Sequence, residues 1–434
     1  MGKYEEGGSA INSSVNSVSA SLDLNNLLSA RTPRRNKKAP EDFTKYFQML
    51  GEMTELCGRK SSNFMYSPAS LYSALQAAAY GTDGKTYEEI IKLTGKKTYD
   101  LKSEAVNVCN FLVVNGKEGR QAKIREEYEQ RLKTDQNLYA TIYELTDENC
   151  DQLVNEINSR CGRETNGQIV EAVQDEDFQD ASPLDPFMAF LGNVLHFKGT
   201  WKERCRLEKY FYFTGLDGER RRVDAVEMDS DELHYYCNET VEAFSAPYLE
   251  ANGRYTFWGF LPSGNGNNRM SQCQSVHIGA AEVESPYTGK MELCDISRLD
   301  LTGLSEPEEK YKLYVEIPKF LFRSGMDMTE ALKKFGVKDA FDRQKADFSK
   351  GYIFSKDNNV YLNSVHQQTV IDFNEKGTEA SAFTGLTFDV ACMCIRGLEI
   401  RLDFDRPFYF MIWDEIEKLP LFVGQVFEPA RMEG

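Results

Sequence analysis

The sequence predicts an α+β fold, and three observations carry that prediction. Helix-like segments crowd its first half, apolar strand-like runs fill its last part, and the two never alternate as βαβ units. No fixed-period repeat runs through the chain. Of its 434 residues, 41% are hydrophobic and 12% aromatic, which is core-forming rather than disordered composition.

Residues 1–39 are rich in Ser, Asn and Gly, then basic (Arg31, Arg34, Arg35, Lys37, Lys38), and read as a flexible tail before one domain over 40–434. Pro40 opens a helix in which Phe43, Tyr46, Phe47 and Leu50 recur at helical spacing. Phe64–Tyr66 is a short apolar strand. Ser67-Pro68 then starts an Ala-rich helix ending near Gly81, whose small residues suit burial beneath a sheet. Residues 97–136 are charged and show no clear period. Residues 151–169 read as a helix closed by Thr165-Asn166-Gly167.

The apolar run 187–197 suits a strand covered on both faces. Residues 255–262 and 311–320 are further strands, and 329–336 a short helix ending at a glycine. From 361 onward nearly everything reads as strand, in the segments up to 373, 399–404, 407–413 and 420–427.

Composition also excludes functions. A net charge of −17 argues against a nucleic-acid binder. No run approaches the roughly 18 apolar residues of a membrane span, and the N-terminal stretch lacks the apolar core of a secretory signal. Ten cysteines without a CxxC pair suit reduced thiols, so a cytoplasmic location is expected. HExxH, GxSxG and the phosphate-binding loop GxxxxGK[ST] are all missing from the sequence. The four histidines (His196, His234, His277, His366) are scattered, and Cys392-x-Cys394 has no matching ligand pair. The chain is expected to be no enzyme and to carry no metal or cofactor.

The stretch 370–384, VIDFNEKGTEASAFT, is different. Val370–Phe373 continue a strand, and Gly377 is a pivot that no side chain restricts. Beyond it Thr378, Ala380, Ala382 and Thr384 share one face, while Glu379, Ser381 and Phe383 share the other. Small and hydroxyl side chains on the first face suit sliding into a packed sheet.

This stretch resembles the hinge of the reactive loop in serpins, and the resemblance extends over roughly 40–429. Ser67 and Ser70 match the family's serines beneath the main sheet. Asn193 and Phe197–Trp201 match the strand beside the insertion gap, with its Trp201. Ala346-Asp347-Phe348-Ser349, Pro407-Phe408 and Leu421–Gly424 match further family segments. Departures are Arg160-Cys161, Cys205, Phe383, Gln367-Gln368 after the histidine, and a longer loop from Gly377 to Pro407.

The resemblance implies three β-sheets with about nine helices and an exposed reactive-centre loop over about 377–403. It implies hinge residues Glu375, Gly377, Thr378, Glu379, Ala380, Ser381, Ala382 and Thr384. Ser67, Ser70, Asn193, His366, Trp201 and Lys319 would hold the sheet shut. Within that set His366 is expected to bond Asn193, and Lys319 to pair with Glu375. Counting forward from Gly377 puts the reactive bond at Ala391–Cys392; counting back from Pro407 gives Arg396–Gly397. The implied activity is suicide inhibition of a protease, a serine endopeptidase or a papain-like cysteine protease, by a monomer that binds neither nucleic acid nor membrane. The alternative is a non-inhibitory scaffold for binding, chaperoning or storage.

Overall fold

All twelve residues of the helix Pro68–Ala79 are buried. Its alanines and serines present a thin surface, so a sheet can lie close upon it. Ser67 caps it, its hydroxyl accepting from the Ser70 amide at 3.2 Å, and Pro68 occupies the first turn, where no amide is needed.

The computed structural model describes residues 43–120, 122–182, 186–203, 205–263, 301, 304–307, 310–354, 359–378 and 398–429. The tail, the loop residues Glu379, Ala380, Ser381, Ala382 and Thr384, and both candidate reactive bonds (Ala391–Cys392, Arg396–Gly397) lie outside these.

Among the described residues the strands form three sheets and a two-stranded ribbon. The main sheet has seven strands, numbered here in chain order: β1 (Val106–Asn115), β2 (Ala140–Leu145), β3 (Ala189–Phe197), β4 (Gly199–Thr200), β5 (Phe320–Asp327), β6 (Ser364–Asn374) and β7 (Gly377–Thr378). Across the sheet the order is β2, β1, β3, β6, with β5 outside β6, and β7 held between β6 and β4. A six-stranded antiparallel sheet contains Tyr255–Pro262, Phe408–Asp414 and Leu419–Val426. In the four-stranded sheet, Leu398–Asp403 runs parallel to Tyr311–Pro318.

Six α-helices occur among the described residues, fewer than the nine expected; four further segments are short 3-10 turns. The helix Thr44–Leu56 buries Tyr46, Phe47 and Leu50, and Phe43 sits at its start with its ring against Trp258, Phe260 and Trp413. The stretch 97–136 contains a central strand, β1, which its sequence did not announce. Asn107, Asn110 and Asn115 interrupt the apolar run, but Asn110 and Asn115 are buried with their amides bonded, Asn115 donating to Phe187 O at 2.6 Å. Polar residues can sit inside such a strand once satisfied.

The two faces of the main sheet are covered differently. The helix Pro68–Ala79 lies under one. The helix Cys150–Glu164 lies on the other, with Leu153, Ile157 and Cys161 in a second apolar cluster that includes Phe111, Val113, Phe190, Val194 and Val370.

Candidate functional site

The centre of the main sheet is a parallel pair. Residues Ser364–Val370 of β6 face Phe190–His196 of β3, whereas β3 is antiparallel to β1 and β6 to β5. A parallel seam is slightly weaker than the antiparallel ladders around it.

Above the seam the chain turns back on itself. Thr378 faces Phe373 and Gly377 faces Asn374 of β6, and the same two residues face Gly199 and Thr200 of β4. So β7 is antiparallel to both neighbours, a two-residue wedge in the top of the sheet. Thr378 is fully buried, its hydroxyl 2.7 Å from the Tyr248 hydroxyl. Gly377 has φ +142°, and a Cβ there would lie 2.0 Å from Gly199 O. Only glycine fits.

Trp201 closes this corner. Its indole N–H donates to Asn374 O at 2.9 Å, and its ring stacks on Tyr248 with centroids 4.5 Å apart and meets Phe373 edge-on at 5.3 Å. On the rim, Lys319 Nζ pairs with Glu375 at 3.0 Å. Burial pushes the Glu375 carboxyl up, but its own backbone amide and the Lys319 ammonium more than offset this and hold it below its ordinary value.

At mid-seam the sheet is joined to the buried helix by a polar network. Gln367 accepts from the Ser67 amide at 2.7 Å, donates to Ser67 O at 3.0 Å and donates to Asn193 Oδ1 at 2.8 Å. Asn193 donates to Ser70 O at 3.1 Å, to the Ser70 hydroxyl, and to Asn110 Oδ1 at 2.6 Å. Asn110 donates in turn to the Ser73 hydroxyl at 2.9 Å and Leu138 O at 2.7 Å. The three amides stand at one level of β1, β3 and β6, because Asn193 faces both Asn110 and Gln367 in register. All six side chains are buried. A fully satisfied network of this kind fixes relative position, and opening it strands several donors at once.

His366 is not part of it, and the expected bond to Asn193 is corrected here. His366 faces Gly192, on the opposite side of the sheet from Ser67 and Ser70. Its ring packs edge-on against Phe190 at 4.8 Å, and Nδ1 lies 3.6 Å from Asp177. Successive strand residues point to opposite faces, so a residue next to the right one points the wrong way. Gln367 and Asn110 take the places sequence reading left empty. The signal was there: Val365, Gln367, Thr369, Ile371 and Phe373 form the buried alternation of β6, and His366 falls between its members.

Among the described residues no cluster of His, Cys, Asp or Glu could hold a metal ion, and no helix is long and apolar enough to cross a membrane. What the arrangement presents is a sheet with a parallel central seam, a wedge at the top and a polar network holding the middle.

Residues 42–429 match the family model for serpins, serine protease inhibitors; the chain belongs to the serpin family. Serpin-ZX of Arabidopsis thaliana is 24% identical over 389 residues, 85% of this chain and 93% of that protein. Among solved structures, Serpin48, a highly specific serpin of the insect Tenebrio molitor, matches with a TM-score of 0.66 at 21% identity, covering 89% of this chain and 96% of that one. Thyroxine-binding globulin, in complex with thyroxine, matches with a TM-score of 0.64 at 19% identity, covering 89% and 98%.

Proposed function

We propose that this serpin inhibits proteases by suicide trapping: the enzyme cleaves the loop after Thr378, is held as an acyl-enzyme, and is distorted as the cleaved loop enters the main sheet. The observation that carries this reading is β7, already seated antiparallel to both β6 and β4 above a parallel seam. Each further residue inserted would exchange parallel contacts for antiparallel ones on two sides.

The lengths fit. From Gly377 to Ala391, the chain spans about 46 Å as a strand at about 3.3 Å per residue, comparable with the diameter of a domain this size. Roughly 20 new backbone hydrogen bonds at about 1 kcal/mol net each would drive insertion. That is enough to pull apart an oxyanion hole, whose loss slows deacylation by orders of magnitude. The uncleaved form is then a kinetic trap.

The partner is a serine endopeptidase or a papain-like cysteine protease, met by a monomer in the cytoplasm, a reducing compartment that suits six described cysteines held in no disulfide. Incubation with a panel of both enzyme classes tests the reading. A complex that survives SDS, with the enzyme's activity lost in step, is the expected result. Cleavage of the loop by every enzyme without any such complex would sink it and leave the scaffold as a carrier or binding protein.

A further inference from the structure

The helix Cys150–Glu164 and its return segment lie as a strap over the seam. The helix packs on the β1 side through Leu153, Ile157 and Cys161. The return segment then reaches past the seam. Phe178 meets Phe190 of β3 edge-on at 5.4 Å, Gln368 of β6 donates to Glu171 O at 3.1 Å, and Arg323 of β5 donates to Gln168 O at 2.6 Å. The strap is therefore fastened on both sides of the line along which the sheet would part.

At its β1 end two thiols meet. Cys109 Sγ and Cys161 Sγ are 3.9 Å apart and both buried. Arg160, next to Cys161 in sequence, leaves Nη1 buried without a hydrogen-bond partner. The hydrogen bond between the two sulfurs, against the opposing effect of burial and with help from the Arg160 guanidinium, lowers the Cys109 thiol from its ordinary value; the same bond and burial raise Cys161. Either sulfur of such a pair can attack an oxidant as thiolate, and the other then resolves the product. Suicide inhibition makes no use of either.

We propose that Cys109 and Cys161 are an oxidation site, at which a peroxide forms a disulfide that fastens the helix Cys150–Glu164 to β1 and slows opening of the seam. The thiolate of one cysteine attacks one oxygen of hydrogen peroxide, the O–O bond breaks, and the departing hydroxide takes up the proton that thiol lost. The second sulfur then attacks the sulfenic acid, forming the S–S bond and expelling the hydroxyl as water with the second thiol's proton. In sum, two thiols and one peroxide give one disulfide and two waters. The sulfurs must close from 3.9 Å to about 2.05 Å.

The effect on insertion follows from geometry and rests on the loop-insertion reading. Admitting a strand moves β6 and β5 away from β3 by about 4.8 Å. A strap fastened at both ends cannot span the wider sheet unchanged, so one fastening must release. The disulfide forbids release at β1, leaving only the contacts of Gln368 and Arg323 to give way. Because both thiols are buried, peroxide meets them when the helix lifts, so oxidation samples the same motion.

The test uses the full chain. Peptide mapping without reductant, after peroxide treatment, should show the peptides of Cys109 and Cys161 joined, two hydrogens lighter, and separated again by dithiothreitol. Cys161→Ala and, as a second variant, Cys109→Ala should show no such pair. Two free thiols, or sulfinic acid without a bridge, would overturn the site. The second arm cleaves the loop with a non-target protease and follows the gain in heat resistance. The reduced protein should gain it promptly and the oxidised protein at least about tenfold more slowly, with Cys161→Ala indifferent to peroxide. Equal rates for bridged and reduced protein would overturn the effect on the seam. A reduced protein that gains no heat resistance would instead refute loop insertion, with the disulfide still judged by the map alone.

Discussion

The Gln367 amide reaches from β6 to Asn193 of β3, donating to Oδ1 at 2.8 Å, and the same side chain bonds the backbone of Ser67 in both directions. One uncharged residue thus ties the two strands of the seam to each other and to the helix beneath them. Any widening at this level must break the Gln367–Asn193 bond and free the helix from one of the two strands.

Replacing it should loosen the seam. Gln367→Ala leaves Asn193 Oδ1 and the Ser67 backbone groups buried without those partners, a cost of about 1–3 kcal/mol. The expected outcome is a lower unfolding temperature together with faster conversion on mild heating to a hyperstable latent or polymeric form. His366→Ala, on the outer face against Phe190 and Asp177, should convert more slowly than Gln367→Ala. The reverse order would show that the seam is not held by the amide network.

The ion pair at the rim acts on the hinge. Lys319 and Glu375 are partly exposed, so the pair contributes only about 0–1 kcal/mol to global stability; its effect belongs to release of the turn. Glu375→Lys should speed polymerisation on mild heating at neutral pH. The carboxyl is held below its ordinary value, so its stabilisation is present above the unfolded pKa and lost as pH falls through the lower folded one. Polymerisation of the native protein should therefore rise below about pH 4. Glu375→Gln should lose that pH-dependent component, and an unchanged profile would count against the assignment.

Gly377 tests the wedge directly. Gly377→Ala meets both a left-handed φ and the Gly199 carbonyl, and should expel β7 from between β6 and β4. Limited proteolysis should then cut the loop faster than in the native protein, with Trp201 fluorescence shifted as Phe373 and Tyr248 rearrange around it. A variant with native proteolysis and native fluorescence would show the wedge to be incidental.

The reactive bond can be read chemically. The proposal is Ala391–Cys392, because the inserted strand must fill a fixed sheet length while the segment after the bond can vary. A released C-terminal fragment beginning at Cys392 is expected from a stable complex with an enzyme that cleaves after small residues. A fragment beginning at Gly397, recovered from a complex with a trypsin-like enzyme, would move the bond to Arg396.

Much of this was legible because it depends on local chemistry. Ser67-Pro68 is a cap followed by a residue that needs no amide, so the helix start could be placed from two residues. The pivot at Gly377 could be read from side-chain size alone. The polar network was harder. Its partners Asn110, Asn193 and Gln367 come from three strands, and only the sheet register aligns them. Histidine drew attention to 366, where strand parity favours 367. The stretch 97–136 hid β1 because its asparagines look exposed until the carbonyl of Phe187 and the Ser73 hydroxyl are there to meet them.

The register of β7 carries a consequence for the residues that follow it. Antiparallel pairing runs one strand up as the other runs down: Thr378 faces Phe373, and Gly377 faces Asn374. Continued in step, that pairing would bring Ala380 opposite Ile371, Ala382 opposite Thr369 and Thr384 opposite Gln367. All three share the parity of Thr378, the side chain that points into the core. The first two would offer only a methyl group to the closing sheet. The third would arrive with a hydroxyl at the level where Gln367 and Asn193 have just been parted, and could take up the contacts each had lost. Opening the seam would then be a handover, in which the incoming strand itself brings the replacement for the bond it broke.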